Sequence, residues 1–108
     1  MNDGARGRVD FKAIPWESPM PGVRHKVYVD GRRRLRLVEY SRSMQPHGCE
    51  KGHWGYVIEG RLELQFDGET VTLVAGDGVC IPEGPAFRHV GRALTDKITV
   101  VFVEEVRD

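Results

Sequence analysis

Two stretches of the chain gather side chains able to hold a metal ion or to act as nucleophiles. The first runs His47-Gly48-Cys49-Glu50-Lys51-Gly52-His53, and the second runs from Gly76 through Cys80, Pro82, Gly84 and Phe87 to His89. In extended backbone, positions 47 and 49 project to the same side, roughly 6–7 Å apart along the chain, so an imidazole and a thiolate can converge on one ion. His53 follows a glycine-containing bend that can return it to the same point. Phe87 and His89 share one face by the same period-two rule. Together His47, Cys49, His53 and His89 offer three imidazoles and one thiolate, donors that suit Zn, Cu or Ni better than Mg, Ca or Mn. An iron site of the two-His-one-carboxylate kind would need an acid, and Glu50 is the only one inside the first cluster. The residues leave two cofactor readings open: a single transition metal ion (Zn, Ni, Cu or Fe), or none. A bound cation would deprotonate the Cys49 thiol outright. With three of the four residues ligating, the fourth position stays open to water or substrate.

Blander readings stand beside this one. Cys49 can instead be a reactive thiol activated by Lys51 or a histidine, although no acyl-transfer or redox partner accompanies it. His47 and His53 can simply be a loop histidine and a polar residue lining a barrel mouth. His25 lies in a basic segment and reads as a surface residue, and Cys80, between Val79 and Ile81, reads as a small core residue. Arg32, Arg33, Arg34 and Arg36 form the one basic run. Alternation puts Arg34 and Arg36 on one strand face, either an anion-binding face or, as the preferred reading, a charged edge strand that deters aggregation.

The elements that must position these residues are strands. Val27 and Val29 alternate with Lys26 and Tyr28, Asp30-Gly31 is a hairpin turn signal, and Arg34-Leu35-Arg36-Leu37 resumes the alternation. Glu59-Gly60 and Asp67-Gly68 mark further turns around Leu62, Leu64 and Phe66, which oppose Arg61, Glu63 and Gln65. Strands are expected at Glu69–Val74, Val79–Ile81, Ala86–Val90 and Lys97–Val106. In the last, Ile98, Val100 and Phe102 share one face and Val101 and Val103 the other, as in a strand between two layers or at a subunit contact. Trp54 and Tyr56 share a face too. No stretch carries a helical apolar period uninterrupted by Gly or Pro. Three prolines between Ile14 and Gly22 exclude a central strand there and predict an extended arm anchored by Trp16. The expected organisation is an arm over residues 1–22 and one barrel domain over residues 23–108.

Composition narrows the function classes. The 108 residues suffice for one domain with a core of its own, and 40% hydrophobic with 30% charged residues argue against disorder. Sixteen Lys and Arg balance sixteen Asp and Glu. That neutrality, without an RNA-type aromatic motif, gives no general pull toward nucleic acid. No apolar run is long enough to cross a bilayer as a helix, so no membrane partner is expected. The N-terminus lacks the layout of a secretory signal, which points to a cytoplasmic, reducing setting with both cysteines as thiols.

The motifs resemble those of a small single-domain cupin. That family's second motif, Gly, five residues, Pro-x-Gly, two residues, His, begins in register with Gly76, Pro82 and Gly84. Its first motif ends as Tyr56-Val57-Ile58-Glu59-Gly60 does here. Counting back from Gly60 puts His53 at the family's glutamate position, and His47 and Cys49 at its two histidines. Phe87 stands at the second-motif histidine, with His89 two residues later. The chain is also similar to functionally unassigned cupins with a Pro-Trp-Glu-Ser-Pro arm and a Cys-x-Lys-Gly-His segment. The resemblance implies an all-β fold, a double-stranded β-helix or jelly-roll-like barrel of two antiparallel sheets. It also implies a homodimer and a small-molecule ligand at the barrel mouth, with Phe87 at a ligand-binding position. Two functional readings follow: a small-molecule site around a transition metal, or a metal-free ligand-binding or sensory module. A dimeric scaffold without a ligand is the third.

Overall fold

The computed structural model describes residues 7–106; the first six residues of the expected arm and the last two of the expected barrel domain lie outside the described residues. Ten strands follow one another: β1 (Glu17–Met20), β2 (Val23–Asp30), β3 (Arg33–Ser41), β4 (Gly48–Cys49), β5 (His53–Glu59), β6 (Arg61–Phe66), β7 (Glu69–Val74), β8 (Gly78–Ile81), β9 (His89–Ala93) and β10 (Lys97–Glu105). They form a six-stranded sheet, β1-β2-β3-β10-β5-β8, and a four-stranded sheet, β4-β9-β6-β7, with antiparallel pairing throughout. This is the expected double-stranded β-helix. Its only helical pieces among the described residues are short 3-10 turns at Phe11–Ala13 and Pro85–Phe87.

Alternation along the strands builds the interior. Ile98, Val100 and Phe102 of β10 face Tyr40, Val38 and Arg36 of β3, and Val38, Val57, Ile98 and Val100 are wholly buried. From the opposite sheet Leu62, Leu64 and Leu73 close the core. The outward face of β5 and β10 stays apolar yet open: Trp54 pairs with Val103, and Tyr56 with Val101. Leu35 and Leu37 continue those two rows on β3.

Glycines take the turns that need positive φ. Gly60 (φ 90°) joins β5 to β6, and Gly68 (φ 77°) joins β6 to β7, both where turns are expected. The first hairpin is shifted by one residue, because Asp30 pairs with Arg33 and leaves Gly31-Arg32 as the turn. The Pro-rich segment becomes β1, at the edge of its sheet, the one place where a strand tolerates proline. Trp16 packs beneath two cations of β2, with Arg24 Cζ 4.1 Å and Lys26 Nζ 4.9 Å from its ring centre.

Three expectations are corrected. The strand at Ala86–Val90 is instead a 3-10 turn with Pro85 at its start, and β9 begins only at His89. Proline's fixed φ suits the first turn residue and removes a ladder donor. Cys80 is exposed, because its neighbours Val79 and Ile81 take the inward positions of β8 and alternation turns the thiol outward. β3 is no edge strand, since it lies between β2 and β10, and Arg34 and Arg36 line the cavity inside the barrel.

Gly55 marks how closely β10 approaches β5. A Cβ there would collide with the Val101 carbonyl, a backbone atom that cannot swing aside, and press on the Phe102 ring. A Cβ on Gly91 of β9 would meet only Leu62 and Leu64 methyls at 3.8 Å, an ordinary contact. Gly55→Ala is expected to cost about 1–3 kcal/mol by overpacking. Gly91→Ala should be neutral or slightly stabilising, as fewer unfolded conformations are lost. Urea midpoints of the two variants check both.

Candidate functional site

Cys49, His53 and His89 come together although they arise on different sheets. Cys49 of β4 and His89 of β9 are direct cross-strand partners, so their side chains start from neighbouring positions on one face. His53 enters from the other sheet as the first residue of β5. Its Nε2 lies 3.7 Å from Cys49 Sγ, and one donor atom from each of the three residues falls within 4.8 Å of the others. A tetrahedral centre with Zn–S of about 2.3 Å and Zn–N of about 2.0 Å needs donors roughly 3.5 Å apart. The three side chains therefore fit a metal ion with small adjustments.

The outer nitrogens support that fit. His89 Nδ1 lies 3.0 Å from the Phe87 carbonyl, to which it donates, leaving its Nε2 lone pair free. His53 Nδ1 is buried 3.4 Å from Glu104 Oε2, close enough for ion pairing but without well-formed hydrogen-bond geometry. Both imidazoles thus turn Nδ1 toward an oxygen acceptor, the outer support that metal-binding histidines usually have. Burial pushes the His89 imidazole down from its ordinary pKa and the neighbouring His53 adds to this, while the Phe87 carbonyl opposes it. The result favours the neutral ring that metals require. The rings of His53 and His89 meet edge to face at 5.4 Å, and Phe102 backs His53 at 4.9 Å.

Glu104 is the hub behind His53. Its side chain is only 7% exposed, and Arg34 and Arg36 both grip it: Arg34 Nη2 at 2.7 Å from Oε1, Arg36 Nη2 at 2.8 Å from Oε2. Burial alone would raise the carboxyl's pKa, but contacts with His53, Arg36 and Arg34 outweigh it and hold the group well below the usual carboxylate range. Arg36 also reaches back, its Nη1 3.2 Å from His25 Nδ1. Because a guanidinium only donates, that nitrogen must accept, and His25 is the neutral tautomer with Nε2–H. Burial, then the Arg36 charge, lowers its pKa.

These groups line one cavity of about 700 Å³, a volume usual for small-molecule sites. Its wall is apolar where Leu62, Leu64, Leu73 and Ile81 face it, and Tyr40, whose phenol burial pushes up to about 12, lies on its β3 side. His47 lines the cavity but is exposed, with Nδ1 3.3 Å from the Gln45 carbonyl, outside the group formed by the other three. Phe87 does not line it: the ring is 41% exposed on the 3-10 turn, and the residue contributes its carbonyl instead. His25, read from sequence as a surface residue, is half-buried and lines the cavity. Glu104 was not anticipated at all. The signal was present, since position 104 continues the inward series Ile98, Val100, Phe102, and Arg34 stands directly opposite it.

Residues 39–104 match the Cupin domain family. No curated protein is similar enough to match. Among solved structures the chain is similar to KdgF from Halomonas sp., with 26% identity, TM-score 0.70 and coverage of 87% of this chain and 89% of that one. It is also similar to the polyketide cyclase RemF from Streptomyces resistomycificus, with 23% identity, TM-score 0.73 and coverage of 93% and 79%. A sugar phosphate isomerase of the cupin superfamily from Silicibacter pomeroyi is 21% identical, with TM-score 0.71 and coverage of 94% and 76%.

Two outcomes are expected from the buried charges. Glu104→Gln keeps the shape but strands two arginines, and should lower stability by about 3 kcal/mol. The pH response should show two windows. His25, facing Arg36, Arg34, Glu17 and Glu104, and likewise His89, bind protons less readily when folded than in the unfolded chain, so stability falls as pH drops below about 6.5. Glu104 has a depressed folded pKa, so its contribution is present above about pH 4.3 and is lost as pH falls further. Urea midpoints against pH should show a smaller upper-window loss in His25→Gln, and a smaller lower-window loss in Glu104→Gln.

Proposed function

The chain belongs to the cupin family, and from that premise we propose that it binds a small molecule in the barrel cavity around one transition metal ion held by Cys49, His53 and His89. The observation that carries this is the convergence of three donors from two sheets, each histidine turning its other nitrogen toward an oxygen. One thiolate and two imidazoles favour Zn, Ni or Cu. Such an ion supplies Lewis acidity toward a bound oxygen. The protein's own part is to hold the donors, to keep Glu104 charged behind His53, and to enclose the ligand against leucines.

The proposal places the protein in a reducing, cytoplasmic setting, where Cys49 is available as a thiol; both cysteines are unbonded. Among the described residues no helix is long and apolar enough to cross a membrane. It also places a second copy on the outer face of the large sheet. Trp54 is 64% exposed, Tyr56 53% and Val103 49%, in rows that continue across strands. Aromatic anchors in such a patch are what a self-complementary interface uses.

Elemental analysis of untagged protein purified without chelators or a nickel column tests the metal. About one metal ion per chain is expected, lost in Cys49→Ala, His53→Ala and His89→Ala and retained in His47→Ala. No metal even after reconstitution would overturn the proposal in favour of a metal-free ligand-binding module. Light scattering should find a dimer that Trp54→Glu converts to a monomer.

A further inference from the structure

The charges around the cavity are unevenly distributed for a chain that is neutral overall. Four cations line it, Arg34, Arg36, Lys51 and Arg88, against two carboxylates, Glu50 and Glu104. Arg34 and Arg36 are committed to Glu104. Arg88 is not committed: among the described residues its guanidinium has no hydrogen bond or ion pair, and it lines the cavity from an exposed position beside His89. A formally positive, low-dielectric cleft raises the local concentration of anions.

The seat of Arg88 is specific. Its Nε, Cζ and Nη2 lie against Gly48 so closely that a Cβ on residue 48 would fall within the guanidinium. Gly48 precedes Cys49 in β4, and its absent side chain leaves the fork room to lie against that strand at the edge of the cavity. Lys51, also exposed and lining the cavity, adds a second cation at the opening.

Resting on the small-molecule reading above, we infer that the ligand is a small organic acid whose carboxylate is bound by Arg88 at the cavity opening, with its apolar part against Leu62, Leu64, Leu73 and Ile81. A planar guanidinium fork matches the two oxygens of a carboxylate. One free fork and one ammonium suit a single negative charge; a phosphate, with three terminal oxygens and up to two charges, calls for more donors than the uncommitted groups provide. The leucine wall requires an organic body behind the charge.

The test uses acetate, butyrate, hexanoate and octanoate as probes, with hexanamide and hexyl phosphate for comparison, titrated calorimetrically into the full chain. Both zinc-loaded and chelator-treated protein are used, and zinc content is measured in every variant. At least one carboxylate should bind, and hexanamide should bind about tenfold or more weakly than hexanoate. Arg88→Ala should weaken carboxylate binding about tenfold or more, and Arg88→Lys less. Gly48→Ala should act like Arg88→Ala, because the new methyl displaces the flexible end of the arginine while the extended backbone accepts alanine. Zinc content should be unchanged in all three variants. Equal affinity in wild type and Arg88→Ala, tight binding of hexanamide, preference for hexyl phosphate, or no binding across the carboxylate series would each overturn the inference. Its fate is separable from that of the metal. Arg88-dependent carboxylate binding in a protein that takes up no zinc removes the metal and leaves this subsite. Stoichiometric zinc without such binding does the reverse.

Discussion

A carboxylate shut away from water stays ionised only if cations and hydrogen-bond donors replace the lost solvent, and Glu104 is arranged on those terms. Arg34 and Arg36 reach it from the neighbouring strand, fixed there because Glu104 stands directly opposite Arg34 and Phe102 directly opposite Arg36 in the ladder. Its remaining neighbour is His53. The position of one candidate metal donor is thereby tied to a charge cluster that also fixes Arg36 against His25. Moving any member of this chain would change what faces the cavity.

The barrel supplies the second constraint. Cys49 and His89 meet as cross-strand partners in the small sheet, and His53 meets them only because the two sheets close over a shared interior. No single element carries the site. The shared barrel architecture is what the chain has in common with proteins as different as a polyketide cyclase and a sugar phosphate isomerase. A scaffold of this kind sets positions; the residues placed on them decide the chemistry.

The charged residues show a division of labour that alternation makes possible. On β3, odd and even positions face different worlds: Leu35 and Leu37 form part of the outer apolar sheet face, while Arg34 and Arg36 serve the interior. This inverts the usual polar-out pattern of a strand. It is stable because Glu104 compensates the arginines inside, and because the outer leucines continue rows formed by Trp54, Val103, Tyr56 and Val101.

Strand periodicity, glycine turns and motif spacing were enough to read an all-β barrel, its hairpins at Glu59-Gly60 and Asp67-Gly68, and the grouping of chemistry near residues 47 to 89. Those features are local, set by period two and by which residues tolerate positive φ. The sequence by itself could not decide which strands neighbour one another or which face of a strand is inward, and the misreadings of the site residues follow from that. Arg34 and Arg36 looked like edge protection because nothing local says that β3 lies between β2 and β10. Cys80 looked buried because an apolar flank does not reveal which face of a strand is inward. Glu104 escaped notice because a carboxylate's role depends on arginines some 70 residues away in the chain. Alternation is a property of the chain, whereas inside and outside are assigned only when the two sheets close.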